Sequence, residues 1–147
     1  MTTKAADNDF QKHLRDSHEK LETILRGVAE SIRSDRRDAM HDDFCLFEKK
    51  LLAHMDWEEM HLLTPYERIS PKEGAQLRAD HAHFRKALGD FGIAIDIHAV
   101  RAEQFDKFAE ELVAHASREE EMYELAAKFI DADRRTAVAL HMQQFVI

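Results

Sequence analysis

Leu51-Leu52-Ala53-His54-Met55-Asp56-Trp57-Glu58-Glu59 is the stretch on which the reading of this chain turns. Leu51, His54 and Glu58 stand three and four residues apart, the step that returns to one face of an α-helix. The stripe continues back through Phe47, Phe44 and Met40 and on to His61. A histidine and a glutamate therefore interrupt an apolar seam. A carboxylate in such a seam costs several kcal/mol unless a proton, a cation or a metal satisfies it. The figure recurs at His115-Ala116-Ser117-Arg118-Glu119-Glu120, inside a second stripe of Phe105, Phe108, Leu112, Met122 and Phe129. Ten His and 15 Glu give about one His-x-x-x-Glu pair by chance. Three occur, the third being His18 with Glu22, and two of them lie within seams.

Working outward, Leu14, His18, Leu21, Leu25, Val28 and Ile32 form the stripe of a first helix. The turn-forming Asn8-Asp9 opens it, and the polar run from Ser34 to Asp38 follows it. The second helix is expected to stop near Thr64-Pro65, since proline disfavours the helical conformation just before it. A loop to Ser70 follows, with Ser70, Pro71 and Glu73 forming a capping box at the start of a third helix. That helix carries Leu77, His81, Phe84, Leu88 and Phe91, and ends in a turn over 93–98. A fourth runs from about Ala99 to Lys128. A short fifth, with Ala137, Leu140, Met142 and Phe145, is expected to pack across the bundle. Short connections make successive helices antiparallel neighbours, so the fold class is all-α, an up-down-up-down four-helix bundle with a short C-terminal helix. The whole of 1–147 reads as one domain, with the bundle over about 9–130 and an extension over 131–147.

Composition agrees with long helices. The chain has only four Gly and two Pro in 147 residues, 44% hydrophobic and 34% charged residues. That excludes collagen-like, low-complexity and many-turned β classes. A net charge of −8 lacks the footprint for nucleic acid or anionic lipid, so neither is expected as a partner. Cys45 is the single cysteine, no apolar run approaches a membrane span, and Met1 to Asp9 has no signal-peptide core; a cytoplasmic location is expected.

Four histidines and two glutamates thus interrupt the seams: His18, His54, Glu58, His81, His115 and Glu119. With turns centred near residues 36, 68 and 96, the histidines flanking each turn lie at similar distances from it. Equal distance from a turn means equal height in antiparallel helices, so the four imidazoles fall at one level, one per helix. Glu58 and Glu119 sit one helical turn, about 6 Å, further along. Six such donors are too many for one tetrahedral zinc. Nitrogen donors with bridging carboxylates suit a pair of iron or manganese ions in a bundle core.

The order His, HxxxE, His, HxxxE resembles the hemerythrin-like (HHE) cation-binding domain family. The resemblance is carried by Asp16-Ser17-His18-Glu19-Lys20-Leu21, by His54 to Glu59 with Leu63 and Pro65, by Asp80-His81-Ala82-His83-Phe84, and by His115 to Glu121. It covers about residues 10–130. It implies a non-haem di-iron centre with an oxo or hydroxo bridge: one iron on His18 and His54, the other on His81 and His115, and Glu58 and Glu119 spanning both. It further implies that dioxygen, peroxide or nitric oxide is the ligand, bound or turned over. Iron sensing, storage or donation for iron–sulfur repair is the alternative, and a metal-stabilised interaction bundle is a third. The oxygen-carrying members add a histidine four residues after the one matching His81; here that residue is Arg85, which has no lone pair to offer. The departure implies reaction with an oxidant rather than reversible carriage, and an inward-pointing Arg85 would attract anionic oxygen species.

Other polar residues read differently. His83 lies about 200° around its helix from His81 and is expected in solvent. His13 and His98 default to the surface, His61 to packing at the bundle end, and His141 to the tail. Cys45 is expected as a buried, apolar-like thiol. Glu22 is read as a surface residue on the flank of its stripe, with a role as metal ligand or ligand support as the alternative. Trp57 and Tyr123 are read as core packing, with shielding of the site from water as the functional alternative.

Overall fold

The computed structural model describes residues 2–131, 134, 135, 137 and 138, with side chains from Phe10 onward apart from that of 127. Helix α1 spans Thr2–Arg33 and α2 spans Arg37–Glu58. A single π-helical turn, Glu59–Leu63, joins α2 without a break to α3, Thr64–Ile69. Helices α4, Pro71–Asp96, and α5, Ala102–Phe129, complete the bundle. Helix α1 packs on α2 and α5, and α4 closes the ring between them. No described helix is long and apolar enough to cross a membrane.

Several boundaries differ from the sequence reading. Helix α1 begins upstream of Asn8-Asp9 because Ala5 and Ala6 are strong helix formers, and local propensity at Asn and Asp is a weak signal. The second helix does not stop before Pro65. Proline has no N–H for the i−4 carbonyl, and its ring crowds that carbonyl. The wider π turn just before it changes the carbonyl register, and the chain continues helical to Ile69. The expected loop shrinks to Ser70, which stands at the N-cap of α4 but makes no side-chain capping bond. Gly74 permits this tight reversal: a Cβ there would meet the Glu67 Cα at 3.0 Å. Asp35 and His98 hold the other two turns in the left-handed region, at φ 49° and 56°, where Asp and His are more tolerated than most residues. Of the short fifth helix, residues 134, 135, 137 and 138 are helical; Leu140, Met142, Phe145 and His141 lie outside the described residues. Val138 is buried, and its carbonyl accepts a 3.1 Å hydrogen bond from Trp57 Nε1, so residue 138 packs against α2.

Two apolar clusters fill the interior. One holds Leu21, Leu25, Val28 and Ile32 of α1, Met40, Phe44, Phe47 and Leu51 of α2, Phe84 and Leu88 of α4, and Phe105 and Phe108 of α5. Phe47 and Phe84 both meet Phe108 edge to face, at 6.3 and 5.9 Å. The other, at the opposite end, holds Phe10, Leu14, Trp57, Leu62, Leu63, Tyr66, Leu77, Met122, Tyr123 and Ile130. Between them the seams turn polar.

Candidate metal centre

The helical step brings all six seam residues into that middle layer. His54, Glu58, His81, His115 and Glu119 are buried, and the His18 side chain is 16% exposed. Helix α1 supplies His18, α2 supplies His54 and Glu58, α4 supplies His81, and α5 supplies His115 and Glu119. The imidazoles pair, His18 with His54 at a ring distance of 5.0 Å and His81 with His115 at 5.1 Å.

Each carboxylate faces one histidine of each pair. Glu58 Oε1 is 3.2 Å from His54 Nε2 and 3.4 Å from His81 Nε2. Glu119 Oε1 is 3.4 Å from His18 Nε2 and 2.9 Å from His115 Nε2. Two overlapping groups result, His18–His54–Glu58–Glu119 and Glu58–His81–His115–Glu119, each with its ligand atoms within 4.8 Å of one another. Both groups share the two glutamates.

The backs of the rings are held from outside the layer. His115 Nδ1 donates to Asp80 Oδ2 at 2.8 Å, and Arg118 and Gln76 in turn donate to Asp80. Ser17 Oγ stands 3.2 Å from His54 Nδ1, and Glu59 Oε2 stands 3.7 Å from His81 Nδ1. With Nδ1 engaged outward, Nε2 turns inward, the arrangement by which proteins orient metal-binding histidines.

The donor set fits a metal. Glu58 Oε1, Glu119 Oε2 and both ring nitrogens of His81 are buried without hydrogen-bond partners. Buried polar atoms are ordinarily paired; Glu58 Oε1, Glu119 Oε2 and His81 Nε2 face one another across the layer, an arrangement a cation satisfies, while His81 Nδ1 looks outward to Glu59. Electrostatics without a cation say the same. Burial pushes the Glu58 carboxyl up, but His54 and the hydrogen bonds of Glu119, His54 and His81 outweigh it and hold it well below its usual range. Burial pulls His115 down, but Glu119, Glu58 and Asp80 reverse this and raise it to about 9. His54 is raised as well, its burial outweighed by Glu58. The layer thus gathers protons where no metal neutralises it.

A cavity of about 100 Å³ opens beside the layer, between α1 and α5. Leu21, Leu25, Phe47, Leu51, Met55, Phe84 and Leu112 line it, and His18, His54, Glu58, His115 and Glu119 form its floor.

The residues set aside in the sequence fall as follows. His83 is exposed and pairs with Glu111 at 2.6 Å. His13 and His98 are exposed, and His61 is half-buried against the Trp57 ring at 5.7 Å. Glu22 bonds Arg26 at 2.6 Å on the cavity rim. Cys45 corrects its reading: it is exposed, because it follows the buried Phe44 on the outward flank of α2, with His41 Nδ1 3.9 Å from its sulfur. Arg85 does not turn inward. It binds Glu59 and Asp56 on the outer side of α2, and its charge is neutralised there. The sequence reading missed Ser17, Glu59, Asp80 and Arg118, whose roles depend on long-range pairing that no local periodicity encodes. It placed Tyr123 in the core but not its hydroxyl, which reaches into the layer.

Searches of the curated proteins and of the solved structures found no match for the chain. A family model described as the hemerythrin HHE cation-binding domain matches residues 9–127, the stretch that builds all four bundle helices and the whole polar layer. The chain belongs to the hemerythrin HHE cation-binding domain family.

Proposed function

We propose that the layer holds two iron ions, one on His18 and His54 and one on His81 and His115, with Glu58 and Glu119 shared between them. The observation that carries this is that each glutamate faces one histidine of each pair, so two donor groups overlap in their carboxylates and not in their imidazoles. A single ion in either group would leave the other pair of buried imidazoles facing the shared carboxylates without a metal. Imidazole and carboxylate together suit iron, and a carboxylate-bridged pair inside a four-helix bundle is an established way to hold it.

The function that follows is binding of, or reaction with, a small oxidant: oxygen, peroxide or nitric oxide. Iron bound there supplies redox chemistry and open coordination positions. The chain's own residues set the terms. The apolar cavity between α1 and α5 admits a small, weakly polar molecule and keeps bulk water sparse above the donors. Asp80 and Ser17 hold the rings in place. Arg85, paired with Glu59 and Asp56, offers no ligand, and that missing imidazole favours reaction over reversible carriage; its charge takes no part. The test is exposure of the iron-loaded, reduced protein to air and, once oxidised, to peroxide. Rapid oxidation, and a spectral change with peroxide without loss of iron, are expected. Reversible oxygen uptake, with the gas released intact on deaeration, would restore the carrier role. Transfer of the iron to an apo acceptor without oxidant chemistry would support iron handling instead.

A further inference from the structure

Tyr123 is fully buried on α5, one helical turn beyond Glu119, at the edge of the second apolar cluster. Its oxygen lies 2.5 Å from His18 Nε2, 2.6 Å from Glu58 Oε2 and 3.4 Å from His54 Nε2. Both imidazoles belong to the His18–His54 group and Glu58 is shared by the two groups; no described residue places a phenol on the His81–His115 side.

A buried tyrosine bonded to a glutamate is ordinarily a satisfied core residue. Two features set Tyr123 apart. Residues that merely orient the imidazoles approach from behind, at Nδ1, as Ser17 does for His54 and Asp80 for His115. Tyr123 approaches His18 and His54 at Nε2, the side on which both rings face the glutamates. In addition, its proton goes to Glu58 Oε2 while its lone pairs face Nε2 of both His18 and His54, so the oxygen stands where three inward donor atoms converge.

We propose that Tyr123 is a further ligand of the ion held by His18 and His54, bound as a phenolate. This rests on the di-iron reading above. When the metal binds, the O–H bond breaks, the oxygen's electron pair goes to the metal and the proton leaves to solvent; no electron is transferred. The two donor groups would then be unequal: the His18–His54 group would offer a hard anionic ligand that favours ferric iron, and the His81–His115 group offers no such ligand.

The test is visible absorption and resonance Raman spectroscopy of the full chain, loaded with ferrous iron and oxidised in air. A tyrosinate-to-iron(III) charge-transfer band in the visible, with phenolate ring modes enhanced on excitation into it, is expected. Tyr123→Phe should abolish both and retain iron. Tyr66→Phe should change neither, and since the chain has two tyrosines this variant assigns the band to Tyr123 even if Tyr123→Phe fails to fold. Bound iron without the band in the unaltered protein, or a band that survives Tyr123→Phe, would overturn the inference and leave the di-iron reading standing. Failure to bind iron at all would overturn both.

Discussion

The two halves of the polar layer are built from one pattern, yet they are supported differently. On the His18–His54 side the outer partner of a ring is a neutral hydroxyl, Ser17, and a phenol reaches in from the second apolar cluster. On the His81–His115 side the outer partners are carboxylates, Asp80 and Glu59, each in turn held by arginine. A repeated His-x-x-x-Glu motif therefore fixes where donors stand, while residues outside the motif determine their basicity and charge. The comparison is informative because Glu58 and Glu119 belong to both halves: variants there should act on the pair, and variants elsewhere on one side.

The largest effect is expected at the shared carboxylates. Glu58→Ala or Glu119→Ala should each reduce bound iron from about two per chain toward none, because each removes a negative charge common to both ions. Glu22→Ala, on the cavity rim, should leave iron content close to normal. Elemental analysis after ferrous loading makes the comparison; equal losses at Glu22 and Glu58 would erase the distinction between shared donor and rim.

Next is the pair two residues apart on α4. His81→Ala should lose iron, with the greater loss from its own side, and His83→Ala should lose none. His81 is buried with both nitrogens orphaned, whereas His83 is exposed on Glu111. Matching iron contents in the two variants would contradict the placement of the α4 face.

A smaller, one-sided effect is expected from the outer partners. Asp80→Asn should weaken metal affinity by roughly 10–100-fold, the usual cost of losing a carboxylate behind a ligating histidine. Ser17→Ala should cost less, since a neutral hydroxyl contributes a weaker hydrogen bond than a charged group. Competition titration with a chelator measures both, and the reverse order would show that the neutral side is the more dependent one.

The smallest effect is on pH dependence. His115 is raised from 6.5 to about 9 without metal. A raised folded-state value stabilises the metal-free protein fully below 6.5, and the contribution is lost as pH rises through about 9. Thermal melts of the metal-free chain should therefore show falling stability across that window. Metal affinity should rise across the same window, because the ion displaces the His115 proton. A metal-free protein whose stability climbs from neutral pH to above 9 would contradict the coupling.

Most of the bundle was legible because its seams are long and periodic: the stripe of α2 runs unbroken from Met40 to Glu58, and α5 repeats it. The six inward donors were legible for the same reason, as polar residues out of place in an apolar row. The π turn was not, because its cause is a conflict between Pro65 and a helix that tertiary packing continues to favour. Neither were Asp80, which meets His115 across α4 and α5, and Arg118, which holds Asp80. Cys45 was misplaced because the general tendency of a free thiol to be buried says nothing of the helix face it occupies, and the face beside Phe44 looks outward. Tyr123 was identified as core, but a periodicity argument ends at Cβ and cannot say where a hydroxyl on the far side of the ring arrives.

The central claim is that two ions share Glu58 and Glu119. The most direct measurement is metal content per chain in protein purified from iron-supplied cells, with magnetic susceptibility of the oxidised form. The account predicts about two irons per chain, coupled antiferromagnetically through a shared bridge. One iron per chain, two uncoupled irons, or stoichiometric zinc would contradict it.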